Sequence, residues 1–258
     1  MATFLFDKIV FGPVKSRRLG VSLGINLLPT DCKLCSFNCI YCECGWNPKK
    51  THKVDFHPRH LVKEKLEQKL NEMIKQGETP DVITFAGNGE PCMHPEFAGI
   101  IDDTIELRNA IFPKARIAVL SNSTMIHKPD VFAALNKVED NILKLDGGKE
   151  QTIINLDQPV GTFNLEKTVD LLSKFRGNLT IQTLFIKGEY NGKSIDNTSQ
   201  EEIDLWLQHL KKIRPREVMI YTISRDTPVE TLQKVDLAEL ERIANLVEQA
   251  GFPTQISG

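Results

Sequence analysis

No stretch of this sequence approaches the ~18–20 consecutive apolar residues that a bilayer-spanning helix needs, so a membrane is not an expected partner. Residues 1–20 also lack the apolar centre of a secretory signal, because Asp7, Lys8 and the run from Lys15 to Arg18 interrupt it. Neither sign of charge is in excess. Lys and Arg number 32 against 34 Asp and Glu, a net charge of −2, which leaves no global basic field for nucleic acid or an acidic membrane. No internal repeat or low-complexity linker divides the chain, so one domain over residues 1–258 is expected. Cysteine is absent before Cys32, and five of the six cysteines crowd between 32 and 44. That crowding suits metal binding in a reducing compartment better than a disulfide framework, and it points to a cytoplasmic protein. A hydrophobic content of 41% is enough for a sizeable core.

Three of the cysteines stand at a C-x3-C-x2-C spacing in Cys35-Ser36-Phe37-Asn38-Cys39-Ile40-Tyr41-Cys42. Soft thiolates select zinc or an iron–sulfur cluster. Closed sites of either kind normally take four protein ligands. This loop offers three, so one iron of a cubane would stay open for chemistry. The plainer alternative is a structural zinc loop or a redox-inert cysteine group. Cys32 and Cys44 flank the motif but are too few for a second cluster, so one cluster is expected. Cys92 is the one candidate for a direct catalytic part, as hydrogen-atom donor or covalent carrier, against the plainer role of a small half-buried residue.

Runs rich in β-branched and large apolar residues predict six strands, at 21–28, 82–86, 115–120, 142–145, 179–186 and 217–223. Stripes of helical period predict six helices between and after them, over 58–76, 95–110, 129–138, 164–176, 199–213 and 236–250. Residues 1–20 form an N-terminal extension and 31–57 a long cysteine-bearing loop, made polar by Lys49, Lys50 and His52. Two further long loops, 147–163 and 187–198, are candidate substrate loops or lids. Ser199-Gln200-Glu201-Glu202 has the form of a capping box. Arg17 and Arg18 either hold a carboxylate or phosphate or form a solvated basic turn. Lys211, Lys212, Arg214 and Arg216 make a local basic patch or a solvated helix end.

Strands alternating with helices imply right-handed crossovers and a parallel sheet. The cysteine loop, Gly87 to Pro91, Ser121 to Thr124, Asp146 and Ser224 to Thr227 all follow strands, so they share the carboxyl rim where α/β barrels keep their sites. A full eight-stranded barrel takes ~250 residues, and here six units use up the chain. The expected fold is α/β: an incomplete (β/α)6 TIM-like barrel with a curved parallel sheet, open on one side. An open side admits a bulky substrate, such as a peptide, a protein segment or a folded nucleic acid.

The cysteine spacing, the aromatic Tyr41 just before the last cysteine, and the later Gly87-Asn88-Gly89-Glu90-Pro91 resemble the radical S-adenosylmethionine (SAM) enzymes. The resemblance implies a [4Fe-4S] cluster on Cys35, Cys39 and Cys42, with SAM on the open iron. It implies reductive cleavage of SAM to methionine and a 5′-deoxyadenosyl radical, which takes a hydrogen atom from substrate. It further implies an external one-electron reductant of flavodoxin or ferredoxin type. Residue by residue, it places backbone near Tyr41 against the adenine, and Gly87, Asn88, Gly89 and Glu90 around the SAM amino group. Ser121, Asn122 and Gln182 fall to the carboxylate and ribose, with Lys144 and Asp146 beside them, and Ile223 and Ser224 to the adenine side.

Two longer runs, Phe11-Gly12-Pro13-Val14 through Asn26 and Tyr221-Thr222-Ile223-Ser224-Arg225, resemble a group of bacterial iron–sulfur oxidoreductases. That group is similar to the radical SAM core of the wybutosine-synthesis enzymes, which modify tRNA. Those enzymes carry three further upstream cysteines for a second cluster. This chain has none there, and its net charge is slightly negative, so a nucleic acid is the lesser expectation beside a peptide, protein or modified nucleoside. The rival class is a non-catalytic iron–sulfur electron carrier, which has no use for a SAM-binding rim.

Overall fold

Buried runs such as Val82-Ile83-Thr84-Phe85, apolar on both faces, belong in the interior of a parallel sheet rather than at a half-wet surface. The computed structural model describes residues 4–16, 19–49 and 55–257. Arg17, Arg18, Lys50 and His52 lie outside the described residues. In chain order the elements are β1 Val10–Ser16, β2 Gly20–Ile25, α1 Arg59–Gln76, β3 Val82–Phe85, α2 Phe97–Ile111, β4 Arg116–Ser121, α3 Pro129–Leu135, β5 Asp140–Lys144, α4 Glu150–Asp157, α5 Leu165–Ser173, β6 Thr180–Leu184, β7 Ile186–Tyr190, β8 Lys193–Asp196, α6 Gln200–Ile213, β9 Glu217–Tyr221, β10 Gln233–Lys234, α7 Leu237–Gln249 and β11 Thr254–Ser257.

One eight-stranded sheet runs β1-β2-β3-β4-β5-β6-β9-β11. Every pairing from β2 onward is parallel, and only β1 runs antiparallel, to β2. The sheet curls into a half-barrel that stays open between β1 and β11, the architecture expected of a curved, one-sided barrel. Two strands exceed the expected six. β11 adds a seventh parallel strand after α7, pairing Thr254 with Val218 through Ser257 with Tyr221. β1 lies inside the expected N-terminal extension. Its Gly12-Pro13 reads as a turn, yet the pairing register shifts between Phe11 and Val14, and an edge-strand bulge tolerates a proline that donates no hydrogen bond. Gly24 opposite is required for close approach: a Cβ there would fall 2.1 Å from the Phe11 ring.

The two expected lids are also structured. Residues 187–198 form the β7–β8 hairpin, which with β10 makes a three-stranded antiparallel sheet at the carboxyl rim. Residues 147–163 contain α4. No Ser, Thr, Asp or Asn side chain caps α4 from its own N-cap, Lys149. Its cap comes from α6: Glu202 accepts from Gly148 N–H at 2.9 Å, Lys149 N–H at 3.1 Å and Thr152 Oγ1 at 2.6 Å. Glu202 is therefore spent on α4 rather than closing a capping box on Ser199, although Ser199 does accept from Glu202 N–H. Asn164 and Asp236 cap α5 and α7 as their positions foretell, and Gly77 ends α1 in the left-handed conformation.

Helices cover the outer face of the sheet and bury the main core, from Leu23 and Phe85 to Trp206 and Val247. A second apolar cluster lies at the rim. There Phe37, Ile40 and Tyr41 of the cysteine loop pack with Leu156 of α4, Leu184, Ile186 and Ile195. The elements that a local reading leaves as loops are thus the ones that seat the cysteines. No helix among the described residues is long and apolar enough to cross a membrane.

Candidate active site

A loop that carries three cysteines needs its backbone anchored, since its own sequence has no regular hydrogen-bond ladder. Two elements supply the anchors. The end of α4 takes two of the loop's N–H groups, Asn38 to Asp157 O at 2.9 Å and Ile40 to Leu156 O at 3.0 Å, and Val160 N–H donates to Ser36 O at 2.9 Å. On the other side the Gly87 to Pro91 turn lies against Leu34. Leu34 N–H donates to Asn88 O at 2.8 Å and Glu90 N–H to Leu34 O at 3.1 Å. Asn47 braces the loop from within, accepting from Cys35 N–H at 3.0 Å and donating to Cys35 O at 2.9 Å.

Within this frame Cys35, Cys39 and Cys42 line one cavity of about 590 Å³ at the open side of the half-barrel. Gly87, Gly89, Glu90, Ser121, Asn122, Tyr41, Lys144, Gln182, Ile223 and Ser224 line the same space. Phe4, Phe6, Phe11 and Val14 form its outer wall, with Phe6 stacked on Phe11 at 3.8 Å between centroids. Lys33, unmarked by sequence reasoning, enters from below. It is 2% exposed, donates to Gly45 O at 2.8 Å, and sets a buried cation beside the three thiols.

The sulfurs differ in their surroundings. Burial pushes the Cys35 thiol up to about 12, with Glu90 adding to it. Burial also holds the Cys39 thiol well above its usual range, and its S–H donates to Asp157 Oδ1 at 3.1 Å. The Cys42 thiol goes down to about 5: the Cys44 thiol donates to it, and Lys33 helps against the cost of burial. Cys44 thus supports Cys42 from the cavity wall, while Cys32 stands off that wall. Among the described residues no three His, Cys, Asp or Glu side chains gather closely enough for a single metal ion. Three soft donors along one cavity wall beside a buried cation suit a polynuclear cluster, in which each sulfur takes its own iron. The residues present therefore fit an iron–sulfur group.

Glu90 is buried and lines the cavity. Its carboxylate accepts from Cys92 N–H at 3.0 Å, Ser121 Oγ at 2.9 Å and Asn122 N–H at 2.6 Å, and burial raises its pKa. Asn122 also donates to Cys35 Sγ at 3.4 Å and to Ser36 Oγ at 2.9 Å. Gln182 is 8% exposed, and its side-chain amide faces the cavity with no hydrogen-bond partner among the described residues. Asn88, in contrast, is off the cavity wall. Its amide is spent on Phe6 O, Pro29 O and Phe6 N–H, which tie the N-terminal segment to the turn. Cys92 is fully buried in the main core and off the cavity wall, deeper than the half-buried place of its plainer reading.

Lys144, Asp146 and Tyr41 come together behind the cysteines with a fourth residue, Asp157. The Tyr41 hydroxyl lies against Asp146 Oδ2 and at 2.8 Å from Asp157 Oδ1, and Lys144 Nζ donates to it. Lys144 Nζ is 3.3 Å from Asp146 Oδ2 and 3.5 Å from Asp157 Oδ1. Burial raises Asp146 to about 6 with Lys144 opposing. Asp146 also accepts from Leu184 N–H at 2.9 Å, and it is off the cavity wall. Asp157 ends α4, so no local signal marks it. The basic patch is far from all of this: Arg216 precedes β9 at the amino end of the strands, and it and Lys212 are paired with Asp140 and Asp170.

The chain belongs to the Radical SAM superfamily, whose family description matches residues 32–198, more than half of the sequence. Membership implies SAM and an iron–sulfur cluster, and the chain is an enzyme of that class. It is 30% identical over 248 residues to a protein named GTPase Obg from Brachyspira hyodysenteriae, covering 95% of this chain but 34% of that one. A UPF0026 protein of Helicobacter pylori is 31% identical over 221 residues, covering 84% of this chain and 67% of its own length. The chain thus spans about a third of the first relative and two thirds of the second. Among solved structures, Streptococcus suis SuiB bound to S-adenosylmethionine superposes with a TM-score of 0.64 at 15% identity, over 91% of this chain and 50% of that one. Archaeal TYW1 superposes with a TM-score of 0.56 at 12% identity, over 89% and 72%. These two likenesses are of fold.

Proposed function

We propose that Cys35, Cys39 and Cys42 hold a [4Fe-4S] cluster with one iron open to SAM, and that the chain uses it for radical chemistry on a bulky substrate. The reading is carried by one observation: three thiols and the polar strand ends of β3, β4 and β6 face a single cavity. An electron carrier has no use for a cavity lined by polar groups such as Glu90, Ser121 and Gln182. Loaded and reduced, the cluster and SAM would supply a 5′-deoxyadenosyl radical.

The chain's own part is orientation and exclusion. Glu90 keeps acceptor capacity beyond its three protein donors and is the natural partner of the SAM ammonium. Ser121, Asn122 and Gln182 supply polar contacts for carboxylate and ribose, Gly87 and Gly89 let the backbone come close, and Ile223 and Ser224 flank the adenine beside the Tyr41 backbone. Lys144 and Asp146 act from behind Cys39. The curled sheet and the Phe4, Phe6 and Phe11 wall keep water from the reacting atoms, and a displaced contact would cost rate steeply. Electrons come from an external one-electron donor. A peptide or protein segment is the preferred substrate over a tRNA, because the basic patch lies at the far end of the strands and two of its members, Lys212 and Arg216, are paired.

The test is anaerobic. The reconstituted chain is reduced with dithionite, given SAM, and assayed for 5′-deoxyadenosine by mass spectrometry beside a Cys39→Ala control. The nucleoside is expected from the intact motif alone. A well-formed cluster that yields none, and whose spectrum SAM leaves unchanged, would replace this reading with electron transfer.

A further inference from the structure

Asp157 meets Cys39 on terms that change once Cys39 becomes an iron ligand. In the chain alone the Cys39 thiol donates to Asp157 Oδ1 at 3.1 Å. A ligand cysteine gives up its proton to solvent and binds as thiolate. The hydrogen between Cys39 Sγ and the Asp157 carboxylate would then be gone at that same close distance: Asp157 is 1% exposed, and its Oδ2 is buried with no partner among the described residues. Unpaired buried charge of this kind is strongly destabilising. Lys144 can resolve the conflict. Lys144 Nζ is 3.7 Å from Cys39 Sγ and 3.5 Å from Asp157 Oδ1, within reach of both. Asp146 and the Tyr41 hydroxyl hold it there from behind.

We infer that Lys144 is a positioning residue for the cluster: its ammonium is the shared counter-charge that lets Cys39 ligate iron as a thiolate beside the Asp157 carboxylate, and it thereby sets how easily the cluster is reduced. The inference rests on the cluster reading above and goes beyond it, since family membership assigns no residue to the second side of Cys39. A donor aimed at a ligand sulfur stabilises the extra electron, and an acceptor carboxylate does the reverse. Lys144 and Asp157 therefore have opposite and compensating effects.

The experiment reads iron content and midpoint potential rather than turnover. Wild type, Lys144→Met, Lys144→Arg, Asp157→Asn and the Lys144→Met/Asp157→Asn double variant are reconstituted anaerobically at equal protein concentration. Iron and sulfide are assayed, and the cluster is titrated by electron paramagnetic resonance. Lys144→Met is expected to lose at least threefold in bound iron. Its remaining cluster should be harder to reduce by about tenfold in the oxidised-to-reduced ratio at a fixed poise, ~59 mV for one electron. Asp157→Asn should shift the ratio the other way. Lys144→Arg keeps the charge and should hold iron like wild type. The double variant should recover to within twofold, a rescue that a merely misfolded Lys144→Met would not give. A Lys144→Met chain that binds iron and titrates like wild type overturns the inference, as does a double variant no better than the single. An unchanged cluster that has lost only its spectral response to SAM assigns Lys144 to SAM instead, and also overturns it. Failure of the wild-type chain to assemble any cluster is a different result, and it removes the cluster reading itself.

Discussion

Gly89 and the Leu34 carbonyl are packed so tightly that a Cβ on Gly89 would lie 1.8 Å from that oxygen. Gly89 also has φ of +139°, a conformation that side chains rarely take. This contact fastens the turn that carries Glu90 to the loop that carries the cysteines. Gly89→Ala must push the two apart. A cost of about 3 kcal/mol or more is expected, since left-handed strain alone is worth ~1–3 kcal/mol and the clash with backbone adds to it. Urea denaturation measures this, with Gly161→Ala as control, because nothing lies within 4 Å of a Cβ at that position. Equal stability of the two variants would contradict the clasp.

Glu202 joins α6 to α4, and α4 in turn holds Asn38 and Ile40 of the cysteine loop. Glu202→Ala strips the buried amide of Gly148 and the part-buried amide of Lys149 of their acceptor. Unsatisfied buried donors cost roughly 1–3 kcal/mol each. A stability loss of about 2 kcal/mol is expected, together with reduced iron uptake although no cysteine has changed. Denaturant melts and iron assay on the same preparation check both, and normal iron uptake would sever α4 from the loop.

Much of the frame was legible locally. Six of the seven parallel strands announce themselves as runs of Val, Ile and Leu, and with the loops that follow them they bring Cys35, Glu90, Ser121 and Gln182 to one cavity. What was illegible depends on partners distant in sequence. α4 lacks a cap of its own and borrows Glu202. β1 is a strand only because an edge tolerates Pro13 at a bulge, and β11 has four residues whose pattern means little until β9 offers them a partner. Lys33 and Asp157 carry no motif, and their meaning arises where the chain brings them to the sulfurs. Cys92 sits beside Glu90 in sequence, yet the short 3-10 turn Pro91–Met93 directs it into the core.

Arg59 pairs with Asp103 through two hydrogen bonds of 2.7 and 2.9 Å and so links α1 to α2. That hydrogen bond holds the Asp103 carboxyl below the usual carboxylate range. A depressed folded value gives stability that is complete above the unfolded value, about 4, and that fades as pH falls through the lower folded one. Arg59 is 40% exposed, so the contribution should be no more than about 1 kcal/mol. Asp103→Asn should therefore be slightly less stable than wild type at pH 7, and the gap should narrow at an acid pH below the unfolded value. Denaturant titrations at the two pH values decide it, and a gap that widens in acid would reverse the sign.

Gln182 separates SAM recognition from cluster assembly. It sits on β6, lines the cavity and touches no cysteine, and its amide lacks a partner among the described residues. Replacing it with Leu conserves volume roughly and removes only the polar end. Iron content and cluster potential should match wild type. SAM affinity should fall about tenfold, the equivalent of one lost hydrogen bond of ~1.4 kcal/mol. Titrating SAM against the spectrum of the reduced cluster measures that affinity without any substrate. If Gln182→Leu binds SAM as wild type does, the amide serves the substrate instead, and SAM must lie nearer Glu90 and Ser121 than the cavity wall suggests.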